Sequence, residues 1–349
     1  MNFDIFWLLS QDGFTLAAIY TLLSLGYVLI FTVTRIIFAA YGDLITVAAM
    51  TLHWMQEGRV PPTAYAVVVL ALLAAAMRVW GQLRQGRAID PATMLCRYAL
   101  PLVPAAAIIF FPSIANNYLL SLVFTVLLVT PIGPYLYEIV FEKIARASSL
   151  ILLIVSLAIH FVLSGCVLVL FGAEGIRNNV SILPNVTLGG LPFSGYALTV
   201  TLVATLTCLA LYVGFSGSLL GKSLRATADN PTGAAIVGIN PTSSASLAFA
   251  VAAFIAAVVG IFLSSNLTIY YDSGMMIGLK GFVGAVFGGF SSYPVSALGS
   301  YLLGFAESFF SFEFSKYKDA LVFALVLPVV VARAAFAVTH VDEEEGEEI

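Results

Sequence analysis

The chain has 349 residues, 60% of them hydrophobic and 10% charged, with a mean hydropathy of +1.01. Soluble domains are about half apolar and about a quarter charged, and 15 Lys+Arg with 19 Asp+Glu cannot cover the surface of a soluble fold this oily. A soluble enzyme, a nucleic-acid binder and a disordered chain are therefore disfavoured, and an integral membrane protein is expected.

Residues 1–13 carry Asp4 and Asp12 but no basic residue and no small-residue cleavage pattern. They do not read as a signal peptide, so the first span is expected to be retained. A helix needs about 20 apolar residues to cross the hydrocarbon. Charge-free windows of that size run over residues 14–34, 148–173, 178–221, 241–271 and 281–306, and residues 98–137 are long enough to cross twice. Residues 36–54 (interrupted by Asp43), 63–77 and 320–332 are shorter candidates. The runs are continuous, whereas a membrane barrel shows short alternating segments. The expected fold class is an all-α polytopic membrane protein of roughly eight to eleven transmembrane or half-membrane helices. Residues 1–338 read as a single transmembrane domain and residues 339–349 as an acidic cytoplasmic tail too polar to fold. That tail, from Asp342 onward, holds six acidic residues and accounts for the negative formal net charge of −4; the body is close to neutral, slightly basic.

Within residues 150–171 nearly every side chain is Leu, Ile, Val or Phe, each favouring insertion by about 0.3–0.6 kcal/mol. The sum carries His160, which is expected to be packed among helices and not chemically active. Cys96, Cys166 and Cys208 lie in apolar stretches with neither metal-site nor disulfide spacing and read as packing residues. Trp7, Trp54 and Trp80 sit at span ends, where interfacial anchors belong. Alternating the spans from an outside N-terminus puts ten of the 15 basic residues inside and four outside, with Lys280 within a span. The positive-inside rule selects this orientation.

Residues 216–241 form the most informative inside segment. Asn230 followed by Pro231 is a helix start, an N-cap and then a proline whose missing N–H costs nothing at the first position. Gly238 is a stop, and Pro241 blocks further extension. A short apolar helix of about two turns follows, too short to be stable alone, so it should dock on something. The neighbouring Gly217-Ser-Leu-Leu-Gly-Lys222-Ser223 imitates a phosphate-binding loop, but its glycine spacing is one residue short and a span precedes it where a strand is required. Nucleotide binding by this chain is rejected.

Glycines recur through residues 274–307, with Ser291-Ser292-Tyr293-Pro294 in the middle. Gly274-x-x-x-Gly278 and Gly284-x-x-x-Gly288 allow close helix approach, and the density of glycine also suggests a broken or re-entrant element, tolerated only inside protein or beside a cavity. Asp43, Lys280 and Glu307 fall in apolar surroundings. A charge at mid-membrane costs about 2.5–3.5 kcal/mol on insertion scales, so these groups should pair or face water. They line a path, or they form structural ion pairs.

Together these segments resemble the membrane-spanning subunits of ABC importers for branched-chain amino acids and related amides. The resemblance rests on Gly13-Phe-Thr-Leu-Ala-Ala-Ile-Tyr20, Leu25-Gly26-Tyr27 and Ala40-Tyr41-Gly42-Asp43. It continues in Arg225-Ala226-x-Ala228, Ala234 and Gly238-Ile239-Asn240, then in Gly278-x-Lys280-x-Phe282-x-x-Ala285, Gly288-Gly289, Ser292-x-Pro294, Gly299 and Gly304-x-Ala306-Glu307. It implies a type II-like importer permease fold in the bacterial inner membrane, with a periplasmic N-terminus and a cytoplasmic C-terminus. It implies as partners a second permease subunit (homologous or identical), two cytoplasmic ATPase subunits and a periplasmic solute-binding protein, with ATP and Mg bound by the ATPases and no cofactor or catalytic residue in this chain. Lys222, Arg225, Asp229, Asn230, Ala234, Gly238 and Asn240 would then couple to the ATPase. Tyr41, Asp43, Lys280, Phe282 and Glu307 would line the substrate path.

The chain also departs from that family. Where the family has Asn-Phe-Ala-His-Gly-Glu, this chain has Phe38-Ala39-Ala40-Tyr41-Gly42-Asp43, and Ser291, Val295 and Ser300 replace common glycines. Two polar positions have become aromatic, which suggests a larger or more aromatic substrate than leucine, such as an aromatic carboxylate. The competing reading is an ion-gradient-driven secondary transporter with Asp43, Lys280 and Glu307 as its coupling groups. An intramembrane enzyme is weaker, because His53, His160 and His340 form no metal-ligand spacing.

Overall fold

A computed structural model describes residues 3–84, 94–180, 182–188, 191–290, 292–325, 327–328 and 331. The acidic tail, Ser291 and, within the 320–332 window, residues 326, 329, 330 and 332 lie outside these residues. Seven described helices are long and apolar enough to cross a membrane, and two further apolar helices are shorter. The chain divides into two compact units, each discontinuous in sequence.

The larger unit comprises residues 29–181 and 206–279. After α1 (Phe3–Thr34), Arg35 adopts a positive φ of 58° and ends the helix. α2 (Tyr41–Gln56) is buried along nearly its whole length, although Asp43 interrupts it and its 16 residues fall short of a full crossing. It survives because protein, not lipid, surrounds it. α3 (Pro62–Arg84) follows, then a π-helical turn (Leu95–Ala99) and α4 (Leu102–Phe110). A 3₁₀ turn (Pro112–Asn116) leads into α5 (Tyr118–Val129), whose N-cap Asn117 side chain accepts from the N–H groups of Leu119 and Leu120. The 98–137 window thus turns once, at Pro112. α6 (Ile132–Leu136) runs into a second π-helical turn (Tyr137–Phe141).

α7 (Ser149–Phe171) is capped by Ser148. It lies parallel to α2 and in register with it. Asp43 meets His160 and Trp54 meets Phe171, and each pair sits eleven residues further along than the last. α11 (Pro241–Asn266) is the centre of this unit, with 78% of its apolar window buried. Its small residues allow that burial. A Cβ on Gly260 would strike the Ile45 carbonyl of α2, and one on Gly133 of α6 would strike the Phe249 carbonyl of α11. Around Phe249 the rings of Phe38, Phe141 and Tyr137 close at 5.1–5.8 Å. Phe38, one of the two aromatic departures, is therefore a packing residue of this cluster. The stretch after α7 is pinned rather than loose: Asn178 Nδ2 donates to the Ala49 carbonyl and to Ser264 Oγ, both at 2.9 Å.

The smaller unit comprises residues 1–28, 182–205 and 280–349. The first part of α1 runs antiparallel to α13 (Tyr293–Glu313). Gly304 abuts the Ala17 backbone, Gly13 abuts Phe305, and Ser308 Oγ donates to the Leu9 carbonyl at 2.7 Å. A two-stranded hairpin, β1 (Val186–Leu188) and β2 (Leu191–Phe193), precedes α8 (Gly195–Gly217). The 178–221 window is therefore helical only in its second half. Trp7 Nε1 and Gln11 Nε2 both donate to the Pro192 carbonyl, at 3.0 and 2.6 Å, and hold the hairpin to α1.

The 281–306 window is not one crossing. α12 (Ser273–Phe287) stops, and α13 begins six residues later with Pro294 in its first turn. Gly289 and Phe290 take φ values of +57° and +56°, which reverse the chain out of the helix. The broken element expected from the glycines is present. α14 (Lys318–Ala324) follows α13.

Candidate functional site

Four constellations carry chemistry. The first is the segment between α8 and α11, within the larger unit. The single short helix expected there is preceded by another, α9 (Leu219–Asp229), started by Ser218 Oγ accepting from the Gly221 N–H at 2.9 Å. α9 is amphipathic: Gly221, Leu224, Thr227 and Ala228 are buried, while Lys222, Arg225 and Asp229 are exposed. Thr227 Oγ1 donates to Ser244 Oγ at 3.0 Å and fixes α9 to α11. α10 (Pro231–Ile236) begins as expected, with Asn230 Oδ1 accepting from the Gly233 N–H at 2.9 Å. Gly238, at φ +89°, ends it, and Asn240 caps α11 through the Thr242 N–H at 3.0 Å. Ala234 is the buried contact of α10, whereas Ile236 and Val237 are 81% and 74% exposed.

The second constellation is the start of α2. Asp43 is 1% exposed, and His160 Nδ1 donates to its two oxygens at 3.0 and 2.8 Å. Neither Gly42 nor Gly274 has room for a Cβ; the one on Gly274 would strike the Asp43 carboxylate. The carboxylate thus lies at the N-terminal end of α12, where the exposed N–H dipoles favour negative charge. Tyr41 is fully buried beside it in sequence. His160, expected to be a packing residue, is packed and also the partner of Asp43.

The third constellation lies within the smaller unit. Lys280 Nζ pairs with Glu307 Oε1 at 2.5 Å and with Asp319 Oδ1 at 3.0 Å. Tyr20 OH donates to Glu307 Oε2 at 2.8 Å, and the Tyr20 ring lies 5.8 Å from the ammonium. Phe282, two residues on, packs instead against Tyr27 and Phe290 with centroids 6.0 and 5.2 Å apart. Of the five path residues read from the sequence, only Lys280 and Glu307 are joined directly to each other by the described contacts.

The fourth constellation was not foreseen. Glu138, 6% exposed, pairs with Arg97 Nε and accepts from Tyr98 OH at 2.5 Å, with Arg78 Nη1 at 3.9 Å. Tyr135 stacks on Tyr98 at 6.1 Å and donates to the Arg97 carbonyl. Arg97 and Glu138 both sit in π-helical turns, which re-aim side chains and recur at functional positions. In the sequence, Arg78 and Arg97 count only toward the positive-inside orientation. The available signal was Glu138 itself, an acid directly after a long charge-free run.

These sites sit on a chain matched over residues 90–330, more than half its length, by the family described as branched-chain amino acid transport system / permease component. The branched-chain amino acid permease protein BraD of Pseudomonas aeruginosa is 32% identical over 149 residues, covering 42% of this chain and 48% of that protein. LivH of Escherichia coli is 36% identical over 132 residues, 37% of this chain and 43% of that protein. A probable LivH of Methanocaldococcus jannaschii is 24% identical over 208 residues, 56% of this chain and 66% of that protein. The chain spans about half the length of the first two of these relatives. No solved structure matches it. Matched over residues 90–330, and with seven described helices apolar and long enough to span a bilayer, the chain belongs to the permease-component family of branched-chain amino acid transport systems and is a multi-pass inner-membrane protein.

Proposed function

We propose that this chain is the permease subunit of an ATP-driven importer, forming the path for branched-chain amino acids or related small carboxylates or amides handed over by a periplasmic binding protein. One observation carries the reading: α10 ends in an apolar tip, Ile236 and Val237, that the described residues leave uncovered. A six-residue helix held only by its caps and Ala234 is too short to stand alone. An ATPase subunit that receives this tip completes its packing, and α9, joined to α11 through Thr227, carries the resulting movement into the centre of the larger unit. Lys222, Arg225, Asp229, Asn230, Ala234, Gly238 and Asn240 belong to that relay. The N-terminus is periplasmic and the C-terminus cytoplasmic. A second permease subunit and two ATPases, which bind ATP and Mg, complete the assembly. Tyr41, Asp43, Lys280, Phe282 and Glu307 are the proposed path residues.

The test is Ile236→Asp with Val237→Asp. We expect the ATPase to stop co-purifying with the permease, and ATP-driven leucine uptake in proteoliposomes to fall by about tenfold or more, as removal of a central apolar anchor does. Retained attachment and uptake would refute the coupling role. The same assay sorts substrates: labelled leucine against benzoate-type acids, with Tyr41→His as the comparison, tests the aromatic-acid preference. Uptake that ignores ATP but collapses with the proton gradient would instead favour the secondary-transporter reading, for which the buried ionisable groups are the motivating feature.

A further inference from the structure

Lys280 is a single ammonium shared by two carboxylates, and the two are held very differently. The Glu307 side chain is 5% exposed, and both of its oxygens are engaged, one by Lys280 and one by Tyr20 OH. The Asp319 side chain is 43% exposed and lies in the first turn of α14, a helix of seven residues without a side-chain cap. With one positive and two negative groups, the cluster carries an excess negative charge, and the two carboxylates repel each other across the ammonium. The looser one leaves at small cost, because water already reaches it. The Lys280 side chain, 9% exposed, cannot follow it and is left with an open coordination position facing the place that Asp319 vacates.

We propose that Asp319 is an exchangeable stand-in for the carboxylate of a transported amino acid, so that substrate binds by taking its place on Lys280. This rests on the importer reading above and names the chemistry of its path. The carboxylate of an α-amino acid replaces the Asp319 oxygen on Lys280, and the released Asp319 carboxylate turns to the water that already reaches it. An amide or ester of the same amino acid lacks the anion that the Lys280 ammonium selects. When the substrate departs, Asp319 closes back onto Lys280, which keeps the buried ammonium paired throughout the cycle.

The experiment measures heat stability of the intact complex in detergent, without binding protein or nucleotide, against increasing L-leucine and against leucinamide, which lacks the carboxylate. Removing the internal competitor frees the binding-competent form, so Asp319→Asn and Asp319→Ala should respond at about tenfold lower leucine than the unmodified complex. Leucinamide should shift none of them. Lys280→Gln combined with Glu307→Gln, which removes both buried charges together so that neither is stranded, should abolish the leucine response. The assignment is overturned if both Asp319 variants respond at the same leucine concentration as the unmodified complex. It is equally overturned if leucinamide acts as well as leucine, or if no version responds. Failure of ATP-driven uptake by the unmodified complex is read in the separate transport assay and refutes the importer reading on its own.

Discussion

A carboxylate enclosed by apolar helices persists only if it is neutralised or partnered, and Asp43, Glu138 and Glu307 each have a partner from another helix. Such pairs add little net stability when whole, because both charges lost their water, but breaking one strands the survivor. His160→Leu is therefore expected to cost about 3 kcal/mol in thermal or denaturant unfolding. The double variant Asp43→Asn with His160→Leu should recover most of that loss; a double variant as unstable as the single one would show that the imidazole acts by packing alone. At Glu138 the two arginines are unequal. Arg97 touches the carboxylate while Arg78 stands 3.9 Å away, so Arg97→Leu should lower the melting temperature clearly more than Arg78→Leu.

The helices show two different uses of small residues. In α11, Gly260 lets the α2 backbone lie directly against it, so Gly260→Val should force the helices apart and cost about 1–3 kcal/mol, seen as reduced yield and earlier unfolding. In α10 the determinants are local. Asn230→Ala removes the only side-chain cap of that helix and should cost about 1 kcal/mol, and Gly238→Val forces a β-branched residue to φ +89° at about 1–3 kcal/mol. Both variants are expected to weaken ATPase attachment through the shape of α10 while its apolar tip is intact, measurable as a lower ATPase:permease ratio after purification. This element was legible in sequence because caps and prolines act within four residues. α9 was missed because its start signal, Ser218, lies in an apolar run that looks like a continuing span.

At the scale of the molecule, the chain passes between its two compact units several times. Hydropathy alone cannot show this, because both units contain windows apolar enough to span a bilayer. The proposed orientation makes a further prediction. In a version whose native cysteines have been replaced, Val237→Cys should react with an impermeant maleimide only after the inner membrane is opened, whereas Thr187→Cys in the hairpin should react in intact spheroplasts. The reverse pattern would invert the topology. The proposed path residues follow the same division: Lys280 and Glu307 meet inside one unit, while Asp43 is engaged by His160 inside the other.

Composition, charge placement and local capping were enough to determine a helical membrane protein, its broken glycine-rich element, the start and stop of α10, and the family resemblance later supported by the comparison with known permeases. These are properties of transfer free energy and of hydrogen bonds that span a few residues, and both can be read along a line. The partners of the buried charges were decided only by tertiary structure. Asp43 and His160 are 117 residues apart, and Tyr20 and Glu307 are 287 apart. Their meeting depends on which helices lie side by side, and that is set by close packing of small residues, not by the polarity of any single segment.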